Sequence, residues 1–226
     1  MKKPFFKSIL SYFVDVHIES TSSEFNEDIY IFLSDGRYQL RTNKAIYSFE
    51  DKYVNFFKTF KALDWEKMNI EKVLLLGLGL GSIPQMLEKN FDKQFEYHIV
   101  EIDEEIINLA QKYTLNELKS PIYIYEMDAE IFVDITEEKF DLILVDIFID
   151  RTIPKKFESA EFLEKLKYLL YDNGIILFNR LNSDTEHFLA NTKYYEKLFK
   201  SEFSQAKMFF VKDNIILASR NDIFLR

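Results

Sequence analysis

The run KVLLLGLGLGS at residues 72–82 constrains the fold of this chain more than any other segment. Its apolar stretch reads as a strand buried on both faces. Gly77, Gly79 and Gly81 follow at once. A chain that turns sharply from the carboxyl end of a parallel strand into a helix, and lets a ligand approach its backbone, needs residues without a Cβ. The free N–H groups at the start of the following helix then suit a carboxylate or a phosphate. The run therefore predicts a nucleoside-binding turn. A dinucleotide fingerprint would place its third glycine at position 82, which is Ser82, and this counts against a nicotinamide-dependent oxidoreductase.

The segments after the turn keep a strand–helix rhythm. EYHIVEID, PIYIYEMD, FDLILVDIF and IILFNRL read as strands, and GSIPQMLEKNF, EEIINLAQKY and SAEFLEKLKYLLYDNG as helices, the last stopped by Gly174. Such alternation predicts a parallel sheet covered on both faces. After a further helix over residues 185–199, AKMFFVK and IILASR flank Asp213-Asn214 and predict a closing antiparallel hairpin. This α/β pattern resembles the Rossmann-like class I methyltransferase fold, a mostly parallel seven-stranded sheet ending in an antiparallel hairpin. The first 48 residues instead alternate with period two, with turns at Asp35-Gly36 and Asn43-Lys44, and predict a small antiparallel sheet. Apolar residues Val54, Phe57, Phe60 and Leu63 predict a connecting helix from Asp51 to Leu63. The expected division is an N-terminal β-hairpin subdomain at 1–50 and a nucleoside-binding domain at 51–226.

Charge and composition narrow the partners. The net charge of −9 gives no basic footprint for nucleic acid, and the absence of cysteine removes thiol nucleophiles, thiolate metal sites and disulfides. Residues 1–63 carry nine Lys/Arg against eight Asp/Glu, so the acidity lies in the remainder, where it favours a cationic small substrate. No apolar stretch has the length of a membrane span, and the basic opening MKKPFFKSIL lacks a small-residue cleavage site. A cytoplasmic enzyme is expected, with a small-molecule acceptor, no nucleic-acid or membrane partner and no bound metal.

Five acids sit at predicted strand ends. Glu101, 20 residues after Gly81, is placed to accept both hydroxyl protons of a ribose. Asp103 suits the N-cap of the following helix. Asp128 either accepts from an adenine amino group or caps the short helix AEIF. Asp146 ends the fourth core strand at the topological switch point, and is the candidate for catalysis or for holding a substrate amine. Asp141, at the far end of that strand, is assigned to structure.

Together, LSDGRYQL, VLLLGLGLGS, HIVEIDEEIINLAQKY, EMDAEIF and FDLILVDIF resemble the spermidine synthase (aminopropyltransferase) family over about residues 28–179. The resemblance implies a bound S-adenosylmethionine or its decarboxylated form. It places Gln39, Gly77, Gly79, Gly81, Glu101, Asp128 and Ala129 on the nucleoside and Asp146 beside the acceptor, and it implies a homodimer. The chain departs from the family on the acceptor side. The Asp of the family's glycine loop is Leu80, the second Asp after the fourth strand is Ile149, and the Tyr-His/Gln-Glu element is replaced by IYSFEDKY, where Tyr47, Glu50 and Asp51 are the substitutes. Ile147, Phe148 and Ile149 make the loop apolar, which desolvates Asp146 and raises its pKa toward that of a general base. The leading expectation is therefore methyl transfer to a small acceptor without turnover of putrescine. Aminopropyl transfer is the alternative, and a noncatalytic nucleoside-binding or scaffold module is the reading from another class.

Overall fold

A computed structural model describes residues 4–43 and 45–225. After a short helix α1 (Phe5–Leu10), four strands, β1 (Val16–Thr21), β2 (Ile29–Ser34), β3 (Arg37–Arg41) and β4 (Ile46–Ser48), pair in sequence order as an antiparallel sheet. Asp35 and Gly36 form the β2–β3 turn with φ of +49° and +72°, the left-handed pair that matches the twist of a tight hairpin. The predicted Asn43-Lys44 turn includes Lys44, which lies outside the described residues, as does the basic opening Met1–Lys3.

The predicted connecting helix divides into a 3₁₀ turn at Glu50–Lys52 and α2 (Val54–Ala62). The second sheet then follows the expected rhythm. Its elements are β5 (Lys72–Leu76), α3 (Ser82–Phe91), β6 (Glu96–Glu101), α4 (Glu104–Tyr113), β7 (Ile122–Glu126), α5 (Ala129–Ile135) and β8 (Phe140–Val145). It continues through α6 (Ala160–Tyr168), β9 (Leu170–Leu181), α7 (Thr185–Tyr194), β10 (Lys207–Val211) and β11 (Asn214–Ala218). The strand order is β10-β11-β9-β8-β5-β6-β7, with β5 to β9 parallel and the last two strands antiparallel. The sheet is the expected seven-stranded, mostly parallel α/β arrangement.

Apolar side chains cover both faces of this sheet. Phe56, Phe60, Ile83 and Met86 pack on one face, and Phe132, Leu163, Leu166 and Phe199 on the other. A third cluster joins the N-terminal sheet, through Ile29, Ile31, Leu33 and Leu40, to Ile106, Leu109 and Tyr113 of α4. Leu80 of the glycine turn lies in this junction, 1% exposed. Leu80 thus helps fasten the two sheets together.

Two predicted boundaries are corrected. Helix α6 ends at Tyr168, and Gly174 lies inside β9 rather than at the helix terminus. The β8–β9 register shifts between Phe140 and Leu142, and a Cβ at Gly174 would come within 3.0 Å of the Phe140 carbonyl oxygen. The glycine therefore serves the strand where its neighbour's backbone comes close. The final hairpin turns at Lys212-Asp213, with Asn214 already in β11. Residues 195–199 continue α7 as a π-helical segment. Among the described residues, no helix is long and apolar enough to cross a membrane.

Candidate functional site

The switch point of the parallel sheet opens between β5 and β8, whose chains leave in opposite directions. A cavity of about 810 Å³ occupies this end of the sheet, a size typical of small-molecule sites. The Asp146 N–H donates to the Leu76 carbonyl at 2.9 Å and the Gly77 N–H to that of Val100, also at 2.9 Å, so three strand ends are stitched together beneath it. Gly77 has φ of +93°, and a Cβ there would overlap the backbone oxygen of Asp146. Only glycine fits this crossing.

The nucleoside side is built from local backbone. Glu101 Oε1 accepts the N–H groups of Ile102 and Asp103 at 2.9 and 3.1 Å, and Oε2 accepts that of Leu78 at 3.0 Å. These donors oppose the effect of burial, which pushes the Glu101 carboxyl above its ordinary pKa. Asp103 caps α4 as predicted, Oδ1 accepting from the Glu105 and Ile106 N–H groups. Its Oδ2 accepts from Ser23 and Asn26, which draws the N-terminal sheet to the cavity rim. Asp128 Oδ1 caps α5 through the Glu130 N–H at 2.8 Å, while Oδ2 is paired with Lys156. Gly77, Gly79, Glu101, Asp128 and Ala129 all line the cavity.

The acceptor side is built from side chains of separate elements. Tyr53, just before α2, donates its hydroxyl to Asp146 at 2.8 Å to Oδ2 and 3.1 Å to Oδ1. Asn179 of β9 donates to Asp146 Oδ1 at 2.8 Å, and Asn214 of β11 donates to Asn179 Oδ1 at 3.0 Å. Burial pushes the Asp146 carboxyl up to about 6, with the bonds from Asn179 and Tyr53 pulling the other way. Burial drives the Tyr53 hydroxyl well above its ordinary value, so it remains a donor. The result is one carboxylate poised near neutrality on the floor of a largely apolar cavity, the state a general base requires.

Several predicted residues stand elsewhere. Gln39 does not line the cavity; it alternates with Tyr38 and Leu40, which face α4, so its side chain lies on the opposite face, bonded to Arg41. Gly81 also lies outside the lining. A Cβ there would meet Leu115 at 2.6 Å, so this glycine serves helix packing. Of the substitutes for the family's Tyr-containing element, only Tyr47 lines the cavity, accepting the Asp150 N–H at 2.8 Å. Asp51 pairs with Arg37, and Glu50 accepts the Tyr38 N–H, so both brace the N-terminal sheet. Asp141 accepts the Glu71 and Lys72 N–H groups, both at 2.9 Å, in the structural role expected.

Sequence reasoning missed Tyr53 and Asn179. Asn179 left one signal: it is a lone amide within the apolar run of β9, and it is 1% exposed. A buried amide there demands a partner. Tyr53-Val54-Asn55 carries no pattern that distinguishes it from the start of any helix.

Comparison with known proteins accords with this geometry. Residues 61–218 match the model of the spermine/spermidine synthase domain, and the chain belongs to that family. It is 29% identical over 116 residues to a polyamine aminopropyltransferase of Vibrio vulnificus, an alignment covering 50% of this chain and 38% of that protein. The chain thus matches well under half the length of this curated relative. Among solved structures, a probable spermidine synthase from Corynebacterium glutamicum superposes with a TM-score of 0.70 at 16% identity, covering 91% of this chain and 79% of that one. A spermidine synthase in complex with the transition state analogue AdoDATO gives 0.69 at 15% identity, covering 90% and 72% respectively. These superpositions establish the shared fold. The comparisons favour the aminopropyl alternative, and none supports methyl transfer as the leading reading.

Proposed function

We propose that the chain transfers an aminopropyl group from decarboxylated S-adenosylmethionine to an amine acceptor. The observation that carries this reading is Asp146, held by Tyr53 and Asn179 at the base of the cavity that Gly77, Gly79 and Glu101 also line. The lining suits an adenosyl donor. In this reading Glu101 takes the ribose hydroxyls, Asp128 and Ala129 the base, and the apolar Val100, Ile106 and Met127 the flat face of a purine, all of them residues of the lining. When bound, such a donor supplies an electrophilic carbon next to a sulfonium sulfur.

The residues of this chain do the rest. Asp146 accepts a proton from the acceptor's nitrogen, whose freed pair forms the new C–N bond as the C–S bond breaks and its electrons go to sulfur. Tyr53 and Asn179 keep the carboxylate aimed into the cavity and stabilise its charge before the proton arrives. Phe148, Ile147 and Val54 exclude water, so placement supplies much of the rate. The experiment is to incubate the protein with decarboxylated S-adenosylmethionine or S-adenosylmethionine, each with a panel of amines including putrescine. Release of 5′-methylthioadenosine from the first supports the reading. Release of S-adenosylhomocysteine alone restores methyl transfer, and binding without turnover leaves the noncatalytic module.

A homodimer belongs to the same proposal. Phe6 and Phe13 near the N-terminus are 84% and 81% exposed beside exposed Phe5, Tyr12 and Val14, an apolar surface that pairing would cover. Light scattering is expected to give twice the 27.1 kDa chain mass. A monomer at high concentration would remove this part of the proposal.

A further inference from the structure

Arg151, in the loop that follows β8, lines the cavity and is exposed. Its guanidinium donates to the Ser183 hydroxyl at 3.0 Å, and among the described residues no carboxylate lies within ion-pair distance of it. Ser183, also in the lining, stands two residues beyond the end of β9. The bond therefore joins the two chain segments that run on from Asp146 and Asn179, and it sets an unneutralised cation at the mouth of the acceptor side. Asp184, next to Ser183, is taken up elsewhere: it caps α7 through the His187 N–H and pairs with the His187 ring.

The acids that share this rim do not offset the charge. Asp213 is paired with Lys212 at 3.7 Å, and Asp150 is engaged within the chain. Between the two ends the lining is apolar: Phe148 separates Asp146 from Arg151 along one segment, and Leu181 separates Asn179 from Ser183 along the other. At about 3.3 Å per extended residue, Leu181 lies about 7 Å and Ser183 about 13 Å beyond Asn179. The carboxylate on the floor and the guanidinium at the mouth thus stand on the order of 10 Å apart. A guanidinium keeps its charge at every working pH, and its planar fork has donors left for a carboxylate after one bond to a hydroxyl.

Resting on the reading of Asp146 as the acceptor site, we propose that the acceptor is an amine whose far end carries a carboxylate, held by Arg151 and Ser183, with an unbranched apolar stem between the two ends. The amine end meets Asp146, the stem lies along Phe148 and Leu181, and the carboxylate replaces water on the guanidinium. A diamine of the same length brings a second ammonium against Arg151. That like-charge approach gives the site its discrimination, as the attraction does for the carboxylate. A stem of about eight carbons spans the distance at roughly 1.3 Å per bond.

The test is calorimetric titration of the protein saturated with 5′-methylthioadenosine, using 8-aminooctanoate and 1,8-diaminooctane at pH 7.5. The two probes share one amine end and one stem and differ only in the charge of the other end. The wild type is expected to bind the amino acid about tenfold more tightly, the size of one hydrogen bond between charged groups. In Arg151→Gln the preference falls below about threefold, and in Arg151→Glu it reverses. Because Arg151 is exposed, both variants should melt with the wild type. Equal or weaker binding of the amino acid by the wild type, or an undiminished preference in Arg151→Gln, overturns the assignment. Turnover of the diamine in preference to the amino acid, with release of 5′-methylthioadenosine from decarboxylated S-adenosylmethionine, would overturn it while leaving aminopropyl transfer standing. If the wild type does not bind 5′-methylthioadenosine at all, the nucleoside reading fails first, and this inference with it.

Discussion

The two halves of the cavity satisfy their carboxylates in different ways. Glu101 and Asp103 are held by N–H groups within the same strand-to-helix turn or across the glycine loop, and Asp128 caps the helix it precedes. Asp146 is held by side chains from the residue preceding α2 and from β9, 93 and 33 residues away in sequence. Backbone N–H groups hold one oxygen or both of each carboxylate in the nucleoside half, with Ser23, Asn26 and Lys156 added from outside, whereas side chains of distant elements alone hold the carboxylate of the acceptor half. Short motifs therefore set most of the first, and the second exists only once the whole sheet has assembled.

Substitutions that separate the halves test this contrast. The largest effect belongs to Asp146→Asn, which removes the proton acceptor and should lower kcat for any transfer by about 10²–10⁴-fold, while leaving 5′-methylthioadenosine binding within a factor of a few. The same variant reads the charge in a second way. Because the folded Asp146 carboxyl is raised from 3.8 to about 6, the native state binds the proton more readily than the unfolded chain. Wild-type stability therefore falls as pH rises through that window, by an amount on the order of 3 kcal/mol. Asp146→Asn should melt higher than wild type at pH 7.5, with the gap closing near pH 4, as thermal scans across that range would show.

Leu80→Asp comes next. It buries a carboxylate in the apolar junction of the two sheets and should cost roughly 3 kcal/mol or more of stability. Chemical denaturation measures this, and an unchanged midpoint would mean that the junction does not depend on Leu80. Glu101→Ala is the smallest of the three. It should weaken 5′-methylthioadenosine binding by about 1.5–3 kcal/mol through lost charged hydrogen bonds, with putrescine binding little changed. An equal loss for both ligands would erase the distinction between the halves.

The same contrast explains what the sequence made legible. The glycine turn, the strand-end acids Glu101 and Asp128, and the caps at Asp103 and Asp128 follow from rules that span a few residues, and they were readable in order along the chain. So was the hairpin at Asp35-Gly36. Asp146 was legible because strand topology alone puts it at the switch point. Its partners were not. Tyr53 reaches it because α2 packs across the sheet edge, and Asn179 because β9 lies beside β8, neither of which any local pattern encodes. Gln39 was misplaced for a related reason: strand alternation determines that β3 has two faces, but the packing partner decides which of them meets the ligand. Gly174 was misread because the β8–β9 register shift that calls for it exists only in the paired strands.

Distant side chains hold Asp146 as a base poised near neutral pH. Carboxyl-carbon NMR of aspartate-labelled protein, assigned by difference against Asp146→Asn, measures this directly. A titration midpoint near 6 is expected for Asp146. Tyr53→Phe should shift it further upward, because losing a donor to the carboxylate disfavours its charged form. A midpoint at or below the ordinary 3.8, unmoved by Tyr53→Phe, would contradict it and leave Asp146 as a strand-end residue with no part in proton transfer.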